Sequence, residues 1–270
     1  MPPSAYLMGA IQMTSTADRA RNVDTAIRLV NEAADLGAKL VALPENFSFM
    51  GPEEGRLASA ETLEGPTLGA LRELARRRGL FVVAGSIPET SQNPRMTANT
   101  SAVIADDGSI VAAYRKIHLF DVNIPDGARY AESEVVVPGD KVVVVPTSLG
   151  RIGLTVCYDL RFPELYRKLA SLGAEVITIP AAFTLFTGKD HWEVLVRARA
   201  IENLAYVVAP AQVGRHSANR QTFGNAMIVD PWGVVLARCP DGEGVCVAPF
   251  SRARLERVRQ ELPALKHRKL

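Results

Sequence analysis

Short apolar segments alternate with amphipathic helical patterns along most of this sequence, and this alternation strongly limits the folds that it can adopt. The segments KLVALPE (39–45), LFVVAGSI (80–87) and EVITIPAAF (175–183) are mostly apolar and rich in β-branched residues. Such segments are typical of strands that are buried on both faces of a sheet. Helical patterns lie between them, so the sequence predicts an α/β protein.

Four helices are predicted from residue spacing and end signals. Apolar residues recur every three or four positions in 22–37 and 66–79, and a third helix is expected at 163–173. Gly37 supplies a typical helix stop, and Pro163 is suited to a first helical position. The fourth helix is expected to begin at Asp190, because Glu193 follows three residues later as in a capping box.

Two hairpin patterns interrupt this alternation and predict a mixed sheet. They are TSAVIADDGSIVAAYRK (100–116), with its turn at Asp107-Gly108, and NAMIVDPWGVVLARC (225–239), with its turn at Pro231-Trp232-Gly233. Two polar stretches, 85–101 and 184–190, are expected to be loops near a site.

Composition indicates one globular domain, predicted to span residues 1–270. The chain is 47% hydrophobic and 22% charged, and its formal net charge is +2. Such a charge gives no field that would attract nucleic acid or an anionic membrane, and we expect neither as a partner. No apolar run approaches the roughly 18 residues of a membrane span, and no leader pattern is visible. We therefore expect a small-molecule partner.

The three cysteines are an odd number in a chain too large to need disulfides, which favours a reducing, cytoplasmic location. Cys239 and Cys246 flank PDGEGV and would face each other if Gly242 lies in a hairpin turn. We interpret them as buried apolar residues rather than as a redox pair. The four histidines have no ligand spacing and no Gly-rich phosphate loop is present, so neither a metal nor another cofactor is expected.

Three reactive side chains stand at or just beyond predicted strand ends: Glu45 in VALPENF, Lys116 in YRKIHLFD and Cys157 in GLTVCYDLRFPE. Strand ends converge on one crevice of an open sheet, so the three can meet. Together they suit acyl transfer, with a carboxylate as base, a thiol as nucleophile and an ammonium for the oxyanion. The backbone N–H of Tyr158 is a second candidate oxyanion donor. Each residue alone also has a structural explanation, as a packed, capping or exposed side chain.

These segments resemble the Glu-Lys-Cys signatures of the nitrilase (carbon-nitrogen hydrolase) superfamily, from AIQM (10–13) to DPWG (230–233). The resemblance implies a four-layer α-β-β-α sandwich with mixed β-sheets that typically pairs into a homodimer. It also implies that Glu45 is the general base, Lys116 the oxyanion stabiliser and Cys157 the nucleophile. Glu132, in RYAESEVVVPG, would hold the lysine and orient the substrate amide.

Within the superfamily the chain is most similar to the amidase branch, and most closely to the deaminated glutathione amidases. The matching segments are RKIHLFDVNIP, CYDLRFPELYR, HWEVLVRARAIEN and VGRHSANRQTFGNAMIVDPWG. The resemblance implies a thiol amidase that hydrolyses a small carboxylate-bearing amide to the acid and ammonia through a Cys thioester. Arg215, His216 and Arg220 form a basic segment that suits a remote substrate carboxylate, or else a solvated loop. Arg161 either binds that carboxylate or forms an ion pair with Asp159, and we favour the ion pair.

Several alternatives remain open at this point. The omega-amidases, which act on 2-oxoglutaramate, share the first two matching segments nearly as well, and the triad by itself permits nitrile substrates. A non-catalytic dimeric interaction protein on the same fold would be expected to have a broken triad, whereas all three positions are intact. His118 and His191 suggest a Cys-His site, but single histidines more often have structural roles.

Overall fold

The computed structural model describes residues 2–123 and 129–269. The helices are α1 (Arg19–Asp35), α2 (Glu53–Ala58), α3 (Pro66–Arg78), α4 (Pro163–Ser171), α5 (Leu185–Asn203) and α6 (Arg252–Glu261). The strands are β1 (Ala5–Met13), β2 (Ala38–Ala42), β3 (Phe81–Val83), β4 (Ile87–Thr90), β5 (Thr97–Ile104), β6 (Ile110–Arg115), β7 (Asp121–Asn123), β8 (Arg129–Ala131), β9 (Val144–Thr147), β10 (Gly150–Leu154), β11 (Val176–Thr178), β12 (Tyr206–Ala209), β13 (Ala211–Ser217), β14 (Arg220–Phe223), β15 (Met227–Val229), β16 (Val235–Arg238) and β17 (Gly244–Ser251).

Within these residues the strands form two large sheets, both of which mix parallel and antiparallel pairs. The first sheet has the order β14-β13-β1-β2-β3-β5-β4, with β17 also paired to β1 and β6 to β5. The second has the order β16-β15-β12-β11-β10-β9, and β7 pairs with β8 alone. Neighbours β1, β2 and β3 are parallel, as are β10, β11 and β12, so their carboxyl ends share an edge in each sheet.

The alternation of side chains along β2 shows that the two sheets pack face to face. In β2, Leu40 and Ala42 belong to the same apolar core as Leu154 and Val207 of the second sheet. Val41, between them, belongs to a separate core. Because successive strand residues point to opposite faces, β2 is buried on both sides.

Helices cover the outer faces of the two sheets. Leu29 of α1 and Leu74 of α3 pack in the outer core of the first sheet. Trp192 of α5 and Leu169 of α4 pack in the core that includes the second sheet. The predicted four-layer α-β-β-α sandwich with mixed sheets is therefore confirmed.

The predicted strands are confirmed in position but are shorter than their apolar runs. β2 ends at Ala42, β3 at Val83 and β11 at Thr178, although apolar residues continue beyond each end. In the first and last cases backbone hydrogen bonds continue past the strand end, because the Leu43 N–H donates to the Val83 carbonyl and the Ile179 N–H to the Val208 carbonyl. Glu45 and the 179–183 segment therefore follow directly on these two strands.

The start of the fourth helix and the 184–190 loop prediction were wrong, and the 85–101 loop prediction holds only for residues 85–86 and 91–96. The helix α5 begins at Leu185, five residues before Asp190, because the Thr184 side chain accepts the N–H of Thr187 as an N-cap. The 184–190 stretch is therefore the cap and first turns of a helix. In the 85–101 stretch, residues 87–90 and 97–101 belong to the antiparallel strands β4 and β5, and residues 91–96 between them lie outside the strands. The polar side chains at 97 and 99–101 are buried, as is Glu89, whereas Thr90 is exposed.

Both hairpins are confirmed, as the pairs β5–β6 and β15–β16. Gly242 has a φ of +87° in the turn before β17. Cys239 and Cys246, on either side of this turn, are free, buried thiols. A hydrogen bond with Cys246 and burial raise the pKa of the Cys239 thiol, so it is protonated at neutral pH.

The carboxy-terminal helix α6 packs on its own chain. Leu255 and Val258 are buried, whereas Leu262 is 44% exposed. Among the described residues, no helix is long and apolar enough to cross a membrane.

Candidate active site

Cys157 stands at the start of a 3₁₀ turn, Cys157–Arg161, that follows β10. Its φ is +47°, a left-handed conformation that is uncommon for a residue other than glycine. The Cys157 N–H donates to the carbonyl of Pro180 at 2.8 Å, which ties the turn to the segment after β11. Non-glycine residues in this conformation cluster at functional sites, where the surrounding structure holds them.

Glu45 is held at the end of β2 by contacts with its backbone as well as with its side chain. The Gln212 side-chain amide donates to the Glu45 carbonyl at 3.0 Å. Gly85 has a φ of +31°, and a Cβ added there would lie 2.0 Å from the Pro44 carbonyl oxygen. Only glycine therefore allows this close approach of the two loops. The Glu45 carboxylate accepts the Ala182 N–H at 3.0 Å.

Lys116, which follows β6, is the centre of a buried ion cluster. Its Nζ lies 2.9 Å from Oε1 of Glu45 and 2.7 Å from Oε2 of Glu132, and the side chain is 1% exposed. Burial lowers the pKa of Lys116, but the two carboxylates outweigh it and raise the pKa above its usual value. Burial raises the pKa of Glu132, but the Lys116 ammonium outweighs burial and lowers this pKa below its usual value. Lys116 and Glu132 are therefore both charged at neutral pH in this ion-pair geometry.

Cys157 lies beside this cluster and is protonated in it. Burial raises the pKa of the Cys157 thiol well above its usual range, as do the Glu45 charge and a hydrogen bond with Glu45. Lys116 opposes this rise, and so does a hydrogen bond with the backbone of Ala182. A thiol in this state becomes a nucleophile when a base removes its proton, and Glu45 is the carboxylate in contact with it.

These side chains line one pocket of about 890 Å³, part of which is open to solvent. Its lining includes the predicted residues Glu45, Lys116, Glu132, Cys157, Tyr158, Arg161 and Arg220. Aromatic rings from Phe49, Phe120, Tyr130, Tyr158 and Phe183 form much of the remaining wall. The pocket therefore combines an apolar wall with a few converging charged groups, as small-molecule sites do.

The favoured ion pair between Arg161 and Asp159 was wrong. Asp159 is fully buried and accepts hydrogen bonds from Tyr114, Val156 and the backbone and ring of His118. These donors satisfy the Asp159 carboxylate inside the core, away from the guanidinium.

Arg161 itself lies in the wall of the pocket. Its guanidinium carbon lies 5.1 Å from the centroid of the Phe183 ring and 5.9 Å from that of Tyr158. Its Nη1 lies 3.2 Å from Nδ1 of His191. Among the described residues, no carboxylate forms an ion pair with Arg161. His118 is held by Asp159 and stacks on Phe162, as expected of a structural histidine.

The basic segment that was predicted as a loop forms the hairpin β13–β14, and one of its three residues lines the pocket. Arg220 is that residue. Arg215 is exposed and donates to the carbonyl of Ala218. His216 is not a lining residue, but it contacts the Ser15 carbonyl and the hydroxyl of Thr222, which lines the pocket. Burial lowers the pKa of His216 to about 4, so its ring is neutral at physiological pH.

Sequence reasoning missed Asn99 and the backbone of Ala182. The Asn99 side chain donates to both Glu45 and Glu132, each at 3.0 Å. The segment TANTS (97–101) falls in the stretch predicted as a polar loop. The only sequence signal that Asn99 lies on a strand is the apolar pattern of β5 that follows it. No group of three or more His, Cys, Asp or Glu side chains placed to bind a metal was found within the described residues.

The fold and the pocket together define an enzyme that cleaves carbon-nitrogen bonds, and the carbon-nitrogen hydrolase family model matches residues 7–260. The chain belongs to this family. A deaminated glutathione amidase from Synechocystis sp. is 47% identical over 97% of this chain and 98% of its own length. The Homo sapiens deaminated glutathione amidase is 45% identical over 97% of this chain and 82% of its own. Among solved structures, the NitFhit protein of C. elegans superposes with a TM-score of 0.94 at 38% identity, over 100% of this chain and 66% of that one.

Proposed function

We propose that this protein is a thiol amidase that hydrolyses deaminated glutathione, and that Glu45, Lys116 and Cys157 carry out the reaction. The observation that carries this proposal is the buried contact of the Glu45 side chain with both the protonated Cys157 thiol and the Lys116 ammonium. The names of relatives at 45–47% identity over nearly the whole chain support the choice of substrate.

The first half of the reaction forms a thioester. Glu45 takes the thiol proton, and the Cys157 sulfur bonds to the amide carbonyl carbon, so that the carbonyl π electrons move to oxygen. The oxyanion then lies against the Lys116 ammonium and the Tyr158 N–H. Loss of one such donor costs about 3 kcal/mol of transition-state stabilisation. The C–N bond breaks as the nitrogen takes the proton from Glu45.

The second half releases the acid. Glu45 removes a proton from water, whose oxygen attacks the thioester carbonyl, and collapse of the oxyanion breaks the C–S bond. The sulfur then regains its proton from Glu45. Glu132 holds Lys116 throughout and orients the substrate amide.

The leaving group depends on the substrate. In deaminated glutathione the amide nitrogen belongs to cysteinylglycine, so hydrolysis releases that dipeptide and 2-oxoglutarate. Ammonia, which we expected from the sequence, is the product only of a primary amide such as 2-oxoglutaramate.

The charge of the pocket favours a substrate with two carboxylates. Among the described residues, four cationic and two anionic side chains line it, which leaves a formal excess of two positive charges. Glu45 and Glu132 are balanced by Lys116 and by Arg56, which lowers the pKa of Glu132 further. Arg161 and Arg220 then remain for the substrate, and we assign to them the carboxylates of deaminated glutathione. Arg215 and His216 are not part of this assignment.

The proposal is tested with purified protein and deaminated glutathione. We expect cysteinylglycine release by the wild type and by the matched control Cys239→Ala, whose cysteine is buried outside the pocket. Cys157→Ala should lose activity by at least about a thousandfold, because no thioester can form. Equal rates for Cys157→Ala and Cys239→Ala would overturn the proposal.

A second candidate is omega-amidase activity on 2-oxoglutaramate, which the same catalytic groups would support in a smaller substrate. That amide has a single carboxylate, so one arginine would have no partner. Comparison of kcat/KM for the two amides separates the candidates.

A non-catalytic interaction protein is the alternative from another class. A Cys157 thiol that does not react with iodoacetamide would favour this alternative.

We further propose that residues 1–270 form one domain and that the protein is cytoplasmic. We also propose that it forms a homodimer. Apolar side chains of α5, among them Phe186, Val194 and Ile201, are exposed, and so is Trp232 of the neighbouring turn. This face would bury against a second copy. Light scattering should give twice the chain mass for the wild type and a smaller mass for Val194→Asp. An unchanged mass would argue against this interface.

A further inference from the structure

Asn99 lies outside the predicted triad but contacts three parts of the ion cluster. Its Nδ2 donates to Oε1 of Glu45 at 3.0 Å and to Oε1 of Glu132 at 3.0 Å. Its backbone carbonyl accepts the Lys116 N–H at 2.9 Å. The residue lies on β5 and is fully buried. One amide therefore joins the base, the second glutamate and the strand end that carries the lysine.

The orientation of this amide is set by the carboxylates. If the amide were reversed, Oδ1 would face two anionic oxygens, which also accept hydrogen bonds and would repel it. In the observed orientation, the buried Oδ1 finds no donor among the described residues. A buried acceptor without a donor costs free energy, so general packing gives no reason for a polar side chain here. The two N–H contacts supply that reason.

The charges around Glu45 explain why these contacts matter. Glu45 and Glu132 share the Lys116 ammonium, and Glu45 is also in contact with the Cys157 thiol. Arg56 contributes its charge to Glu132. One ammonium thus serves two neighbouring carboxylates, and a neutral donor between them offsets their repulsion without adding charge.

We propose that Asn99 is a positioning residue that keeps Glu45 ionised and therefore able to accept the thiol proton. This inference rests on the proposed function, because it assigns Glu45 the role of base. A donor to a carboxylate stabilises its charged form and lowers the pH at which it binds a proton. The reactive Glu45–Cys157 pair shares one proton, and a second proton stops the reaction. Loss of Asn99 should make that second proton bind at higher pH.

The test compares Asn99→Leu, which is similar in size but has no donor, with the wild type from pH 5 to pH 9. Ser101→Ala is the matched control, because Ser101 is buried on the same strand and lies outside the pocket lining. Two rates are measured at each pH: kcat/KM for deaminated glutathione, and alkylation of Cys157 by iodoacetamide without substrate.

For Asn99→Leu we expect the acidic midpoint of both profiles to rise by about one pH unit, a tenfold change in proton affinity. The alkaline plateau should stay within about threefold of the wild type, and Asn99→Gln, which keeps the amide, should recover part of the shift. An equal loss at every pH would show a merely structural role and overturn the inference, as would unchanged profiles.

Two further measurements keep the result interpretable. Asn99→Ala is a smaller variant for the case in which Asn99→Leu fails to fold, and the same pH shift is expected of it. The alkylation profile needs no substrate, so a shift there without turnover by the wild type supports the role of Asn99 while the proposed substrate fails. Turnover by the wild type without a shift overturns only the role of Asn99.

Discussion

Replacement of Lys116 by methionine should separate the structural and catalytic roles of the ion cluster. The Nζ atom lies 2.9 Å and 2.7 Å from its two carboxylate partners. At an effective dielectric constant of about 20, each contact amounts to about 6 kcal/mol of attraction, much of which offsets the desolvation of the charges. Removal of the ammonium leaves two carboxylates buried together, which costs about 3–5 kcal/mol of unfolding free energy.

The variant should also reverse the pH dependence of stability that these groups cause. In the wild type, Lys116 lowers the folded-state pKa of Glu132. Glu132 therefore stabilises the folded protein at pH values above its unfolded-state pKa, and this stabilisation is lost as the pH falls through the folded-state pKa. In Lys116→Met the carboxylates repel each other, which raises their folded-state pKa values. The destabilisation should therefore grow as the pH rises from 5 to 8.

Urea unfolding at pH 5.5 and pH 8 measures this effect, and turnover of deaminated glutathione measures the catalytic one. We expect kcat to fall by about a hundredfold to a thousandfold, because an oxyanion donor is lost. The double variant Lys116→Met/Glu132→Gln should recover stability, since it removes one of the two charges, without recovery of kcat. A loss of stability that is the same at both pH values, or below about 1 kcal/mol, would refute this reasoning.

Two other substitutions test the scaffold of the site. In Gly85→Ala, the new Cβ would lie 2.0 Å from the Pro44 carbonyl oxygen, so the Glu45 loop must move. We expect kcat to fall about a hundredfold, whereas Gly69→Ala, with no atom within 4 Å of its Cβ, should keep full activity and gain up to about 1 kcal/mol. Asp159→Ala leaves the buried Tyr114 hydroxyl and several N–H groups without their acceptor. It should lower the urea-unfolding free energy by about 3 kcal/mol or more, and a loss below about 1 kcal/mol would contradict this account.

Much of the fold could be predicted because helix, strand and turn signals depend only on residues that are close together in the sequence. β-branched runs, helical spacing and the glycine-containing turns gave the α/β class and both hairpins. The positions of Glu45, Lys116 and Cys157 after apolar runs pointed to one pocket, and their catalytic roles remain proposals. Local patterns failed where two signals competed: Thr184 and Asp190 are both suitable helix caps, and the structure uses the first.

The sequence by itself determined which residue types follow each strand, since hydrophobic periodicity depends on neighbours along the chain. Only the tertiary structure decided which of those side chains meet. Asn99 reaches two glutamates because β5 packs beside the cluster. Arg220 lies on β14, three consecutive residues of which line the pocket, whereas Arg215 lies on the paired strand β13 and is exposed. Contacts of this kind depend on strand order and register, which join residues far apart in sequence and leave no local pattern.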